Sequence, residues 1–142
     1  MTANKQLIEG NKTEKFVAKT LKKYGYWNYI IPKKINGQPC DVFAAKGGNK
    51  TIVWNIDAKH VEGGKVSFSF DRIEPNQHTS FAYAINFAHL DNCGFAIFFD
   101  RTKSLYWFPY KDYMKYAELG LKSINMNELR DFEEVLKDAD SN

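Results

Sequence analysis

The spacing of apolar residues near the start of the chain predicts an amphipathic helix over residues 5–24. The residues of its apolar stripe are Leu7, Phe16, Val17 and Leu21, and the opposite side is rich in lysine. Gly25 is a suitable C-cap, and the last lysines complement the negative end of the helix dipole. Glu14 lies beside the stripe, where the residues alone favour a surface carboxylate paired with neighbouring lysines.

Alternating and β-branched residues then predict three strands in succession. They cover the aromatic run before Pro32 (YWNYII) and residues 41–45 and 51–59, with loops at 33–39 and 46–50. In the third strand the period of two puts Ile52, Trp54, Ile56 and Ala58 on one face and Val53, Asn55, Asp57 and Lys59 on the other. The connection between the second and third strands is short enough for a hairpin.

The second half of the chain predicts a return to helix and then more sheet. Residues 66–70 are extended, and a helix is predicted over 74–90 with Pro75 in its first turn. The run 94–99 is apolar enough for a buried central strand, 105–108 is its hairpin partner, and short helices follow at 112–118 and 127–137. This order predicts a single α/β (α+β) domain over residues 1–142, with a central mixed β-sheet flanked by helices.

Composition narrows the class of protein. The 142 residues carry a formal charge of +3 and are 44% hydrophobic, which excludes a disordered chain and a disulfide-stapled miniprotein. No stretch is apolar enough for a membrane span, and the first residues lack the pattern of a secretory signal. Cys40 and Cys93 have no zinc-type spacing, so we expect free thiols and a cytoplasmic location.

The candidate catalytic and metal-binding residues lie mostly on or next to the second and third predicted strands. Asp41 opens one strand, and the D-x-K spacing puts Asp57 and Lys59 on one face of the next. Two carboxylates converging from adjacent strands suit Mg²⁺, with Mn²⁺ as a substitute, and Glu14 could complete the metal shell. A neighbouring lysine could orient water and offset charge on a phosphate. The alternative is that these are solvated positions at strand ends.

These residues, taken in order, resemble the PD-(D/E)XK nuclease superfamily, which implies a restriction-endonuclease-like core. The match consists of a helix glutamate, a G-x-P-x-D run before a strand, and D-x-K after a hairpin: Glu14, Gly37–Asp41 and Asp57–Lys59. Phe68, Phe70, Ile73 and Gln77 continue it, and are similar to the Holliday-junction resolvases of the RecU type. The resemblance covers residues 10–110, and implies that Asp41 and Asp57 bind metal and that Lys59 is catalytic. It also implies that Glu14 is the helix carboxylate and that Gln77 lies near the scissile phosphate, whereas without it Gln77 reads as an exposed residue in a helix's first turn.

Two departures from that family pattern shape the expected function. The third motif carboxylate is Asp rather than the commoner Glu, and residues 33–40 are too short for the projecting segment that RecU-type enzymes carry. The resemblance therefore implies a compact, phage-type relative that cuts branched DNA, resolving four-way junctions by paired symmetric cuts as a homodimer. Candidate DNA-binding residues are Lys12, Lys33, Lys34, Lys65 and Arg72. The alternatives are a nicking, flap or restriction-type nuclease, and a non-catalytic DNA-binding protein on the same scaffold.

Overall fold

A computed structural model describes residues 2–32 and 40–141, with side chains from residue 12 onward. The helices in these ranges are α1 (Thr2–Lys23), α2 (Pro75–Asn86), α3 (Tyr110–Glu118) and α4 (Phe132–Ser141). The strands are β1 (Trp27–Ile30), β2 (Val42–Lys46), β3 (Ile52–Val61), β4 (Ser67–Ser69), β5 (Cys93–Phe99), β6 (Ser104–Pro109), β7 (Ser123–Asn125) and β8 (Arg130–Asp131). The predicted loop at 33–39 lies outside the described residues.

Six strands form one mixed sheet in the order β1-β2-β3-β5-β6-β8. The central pair, β3 and β5, is parallel, and every other neighbouring pair in this sheet is antiparallel. A parallel pair needs a long crossover, which here contains β4 and α2. The crossover leaves β3 at the end that carries Asp57 and Lys59, so it brings the start of α2 close to these two residues.

Two hydrophobic clusters cover the two faces of the sheet. On one face, α1 and α4 pack through residues such as Val17 and Phe132 against Trp54 of β3. On the other face, α2 and α3 pack through residues such as Phe81 and Tyr110. The predicted alternation of β3 is confirmed, because Ile52, Trp54, Ile56 and Ala58 all belong to the first cluster. Asp57 and Lys59 therefore face α2.

Several predicted elements differ from the structure. The predicted helix over 127–137 is wrong at its start, because residues 126–128 form a 3-10 turn and β8 follows. Asp131 then accepts hydrogen bonds from the backbone N–H groups of Glu133 and Glu134, which starts α4 one residue after Asp131. Helix α2 ends at Asn86 rather than at 90. Phe16 is 40% exposed and packs its ring on Phe98 instead of entering the core.

Two further expectations concern the cysteines and the membrane. Cys40 and Cys93 are both buried free thiols, as predicted. Across residues 2–32 and 40–141, the helices are too short or too polar to cross a membrane.

Candidate active site

The end of β3 holds a buried ion pair. Asp57 is 1% exposed, and its Oδ2 atom lies 3.1 Å from Nζ of Lys59, two residues along the strand. A charged pair in this position is costly unless its remaining polar atoms are satisfied. The contacts that Asp41 and Gln77 make with the pair therefore determine how far its charges are stabilised.

Asp41, the residue just before β2, lies next to this ion pair. Its backbone N–H donates to the carbonyl of Ile56, and its Oδ2 accepts a hydrogen bond of 2.9 Å from the backbone N–H of Ala58. These two bonds fix Asp41 against β3 on either side of Asp57. The structure thus brings Asp41 and Asp57 side by side, as the hairpin prediction required.

Gln77 connects α2 to both members of the ion pair. Its Nε2 donates to Oδ1 of Asp57 over 2.8 Å, and its Oε1 accepts from Nζ of Lys59 over 3.2 Å. The same Oε1 accepts from the backbone N–H of Glu74, in a capping box that begins α2. Gln77 is buried, so the reading as an exposed residue of the first turn is wrong.

The electrostatics of the cluster favour a bound cation. Burial raises the pKa of the Asp57 carboxyl well above its ordinary value; Lys59 opposes that rise, while the charge of Asp41 and a hydrogen bond between the two carboxyl groups increase it. The pair therefore keeps a proton to higher pH than an isolated aspartate does. A divalent cation between the carboxylates would take the place of that proton.

The donor set fits a hard divalent metal ion. Oδ2 of Asp57 is buried in the ion pair with Lys59, and carboxylate oxygens are the ligands that Mg²⁺ and Mn²⁺ prefer. Glu14 is also buried, on α1, so its interpretation as a surface carboxylate is wrong. Within the described ranges, however, no three acidic, histidine or cysteine side chains lie close enough to share an ion. Asp41 and Asp57 lie side by side, and the metal-ligand roles of Asp41, Asp57 and Glu14 stay predictions.

A groove of about 640 Å³ opens at the end of β3 beside Lys59. Its lining is mostly polar and includes three cationic side chains. The lining residues are Ala58, Lys59, His60, Val61, Glu62, Lys65, Ser67, Ser69, Arg72 and Glu74. The candidate DNA-binding residues Lys65 and Arg72 therefore share one groove with the site.

The other candidate DNA-binding residues lie elsewhere. Lys12 is exposed on α1 and is not part of the groove lining. Lys33 and Lys34 lie outside the described residues.

Sequence reasoning missed two parts of the cluster. Nζ of Lys59 also donates to the backbone carbonyl of Arg72 over 2.9 Å. Every residue has a carbonyl, so no sequence signal marks this one. The Glu74 contact had a signal, because a capping residue, Pro75 and Gln77 in this order are typical of a capping box.

Comparison with known proteins finds no matching family model and no curated relative. Among solved structures the chain matches Hjc, a Holliday junction resolvase from the archaeal hyperthermophile Archaeoglobus fulgidus, with a TM-score of 0.62. The identity is 15%, and the match covers 89% of this chain and 99% of the resolvase. It confirms the predicted fold class, a central mixed sheet flanked by helices. Membership of the PD-(D/E)XK superfamily and of its RecU-type subgroup stays a prediction.

Proposed function

We propose that this chain is a metal-dependent endodeoxyribonuclease that resolves four-way DNA junctions by paired symmetric cuts, in recombination or repair. The observation that supports this most is the buried cluster of Asp41, Asp57, Lys59 and Gln77 at the end of a central strand. Charges in such a position are expensive for a purely structural role. The fold shared with a Holliday junction resolvase makes branched DNA the substrate class to test first.

In the proposed mechanism, Asp41 and Asp57 would hold Mg²⁺, with Mn²⁺ as a substitute. The ion, when bound, would supply positive charge and would increase the acidity of nearby water. The ammonium of Lys59 offsets the charge that develops on the phosphate, and it orients the attacking water by exchanging one of its protein acceptors for that water. Gln77 holds the carboxylate of Asp57 and the ammonium of Lys59 in one fixed arrangement. Burial of Asp57 excludes competing water from this part of the site.

DNA binding in this proposal uses the groove beside Lys59, with Lys65 contacting phosphates, and Arg72 lines the same groove. Lys12, Lys33 and Lys34 remain candidates for more distant contacts. Two symmetric cuts in one junction need two sites related by a two-fold axis, so the proposed assembly is a homodimer.

The test is cleavage of a labelled four-way junction, a matched linear duplex and a single strand, each with Mg²⁺ or Mn²⁺. We expect paired nicks in the junction. In Asp57→Asn the cleavage rate should fall by at least about a hundredfold, while the affinity for DNA is retained. Asp91→Asn, an exposed residue before β5, is the matched control and should cut normally.

Other outcomes of this experiment would replace the proposal. Cleavage of all three substrates would keep the nuclease but remove junction selectivity, which favours a nicking, flap or restriction-type enzyme. Tight junction binding without cleavage under either metal would indicate a non-catalytic DNA-binding protein.

A further inference from the structure

The 3-10 turn Phe70–Arg72 lies between β4 and α2 and is attached to β3 through its last residue. Arg72 contacts β3 through both its backbone and its guanidinium. Its backbone carbonyl accepts a hydrogen bond from Nζ of Lys59, and its guanidinium donates one to the backbone carbonyl of His60. One residue of the turn is thus bonded to two successive residues of the strand that carries the site.

The guanidinium of Arg72 has a second contact that fixes its direction. It lies over the ring of Phe68, 5.6 Å from the ring centre, and that ring is completely buried. A planar guanidinium held both by a carbonyl and by an aromatic face has little freedom to rotate. On its apolar side the turn is held by Phe70 and Ile73, both buried in the core.

Lys59 depends on this turn for one of its three partners. An ammonium group has three N–H donors, and Lys59 has three acceptors within reach: Oδ2 of Asp57, Oε1 of Gln77 and the Arg72 carbonyl. The distance to the carbonyl, 2.9 Å, is the shortest of the three. A lysine side chain is long and flexible, so its ammonium stays in place only where its partners are themselves fixed.

We infer that Arg72 is a positioning residue for Lys59. Its guanidinium fastens the turn to His60, and the fastened turn keeps the Arg72 carbonyl where it holds Nζ of Lys59 against Asp57 and Gln77. The inference rests on the proposed function, in which that ammonium acts on the phosphate. The positioning itself is a property of the protein without DNA, and it is distinct from a phosphate contact by Arg72.

The first arm of the test needs no DNA. NMR of the lysine ε-methylene groups, with Lys59 identified by its loss in Lys59→Gln, reports how rigid each ammonium end is. We expect Lys59 to be rigid in the wild type and to become as mobile as exposed lysines in Arg72→Met, which keeps an apolar stem over Phe68 but has no donor. Arg101→Met is the matched control, because the Arg101 guanidinium donates to the carbonyl of Gly64 on a neighbouring loop. It should leave Lys59 rigid.

The second arm separates positioning from DNA binding. In Arg72→Met, we expect the single-turnover cleavage rate at saturating junction to fall by about tenfold or more, since small misplacements of a catalytic group are costly. The slope of log Kd against log salt should stay within about half a unit of the wild type. A residue that acts by contacting one phosphate would instead lower that slope by about one unit. Arg101→Met should match the wild type in both measurements.

Either of two results would overturn the inference: a Lys59 that stays rigid in Arg72→Met, or a lower salt slope with an unchanged rate at saturation. A wild type that cuts no DNA would overturn the proposed function, while the NMR arm would still decide the inference. Melting temperatures are measured for each variant. If Arg72→Met does not fold, Arg72→Leu provides the same comparison, because leucine also has no hydrogen-bond donor.

Discussion

Asp57 lies between Gln77 and Lys59 and contacts both of them. Its Oδ1 accepts from Gln77, whereas its Oδ2 forms the ion pair with Lys59. The neighbouring carboxylate of Asp41 repels this buried charge, at a cost in free energy. The cost would fall when a cation binds, so metal binding should stabilise the fold.

The raised pKa of Asp57 gives a prediction about pH. A carboxyl whose pKa is higher in the folded than in the unfolded chain stabilises the fold at low pH. That stabilisation is complete below about 3.8, the ordinary value, and is lost as pH rises through the folded pKa. We therefore expect metal-free Asp57→Asn to melt above the wild type at pH 7, by roughly 1 kcal/mol or a few degrees, and the gap to close by pH 4. Thermal unfolding in chelator at both pH values measures this. A variant that melts lower than the wild type at pH 7 would contradict it, and Asp91→Asn should show no such gap.

The two thiols give a second prediction at this scale. Burial raises the pKa of Cys40 to about 12 and that of Cys93 to about 11. Because the thiolate is the reactive form, neither cysteine of the folded protein should react with a disulfide reagent at pH 8 on the minute timescale. Two equivalents should react at once in denaturant. Rapid labelling of either thiol in the native protein would show that the burial is wrong.

Single residues also show how far the sequence could predict the site. The period of a strand is enough to put Asp57 and Lys59 on one face, and a hairpin is enough to bring Asp41 beside them. Gln77 was assigned through the family resemblance alone, because a residue twenty positions along cannot be placed by local spacing. The Arg72 carbonyl could not be predicted at all, since its position depends on the tertiary fold of a turn.

The parallel pairing of β3 and β5 is the element-level feature that places the site. It sends the chain through β4, the 3-10 turn and α2 before β5, and so it brings Arg72 and Gln77 onto the end of β3. The sequence predicted the long strands well, because their apolar runs are strong signals. It did poorly after residue 120, where β7 and β8 are only three and two residues long. Elements this short are fixed by pairing with distant strands rather than by their own pattern.

The β5–β6 hairpin gives a prediction for this scale. A Cβ atom on Gly94 would lie 2.4 Å from the backbone oxygen of Phe108, so Gly94→Ala must push the two strands apart. We expect it to destabilise the fold by about 1–3 kcal/mol, or more if the backbone cannot move. Gly47→Ala, with nothing within 4 Å of its added Cβ, is the control and should be nearly neutral. Urea unfolding compares them, and equal stability of the two variants would contradict the packing of β5 against β6.

At the scale of the whole molecule, the fold is shared with a resolvase although only 15% of the residues are identical. A fold tolerates this divergence because its core needs apolar residues of suitable size rather than particular ones. A reactive site is less tolerant, because each of its atoms has a specific partner. The shared fold therefore does not define the function, which depends on the residues at the end of β3.

The role of the cluster at the end of β3 in catalysis is measured by the single-turnover rate of four-way junction cleavage in Mg²⁺, compared among the wild type, Lys59→Met and Lys50→Met. Lys50 is exposed in the turn before β3, at the opposite end of the strand from the site, and serves as the matched control. We predict that Lys59→Met binds the junction but cuts it at least about a hundredfold more slowly, and that Lys50→Met cuts at the wild-type rate. Thermal unfolding confirms that each protein is folded. A folded Lys59→Met protein that cuts the junction as fast as the wild type would contradict the assignment of this cluster as the active site.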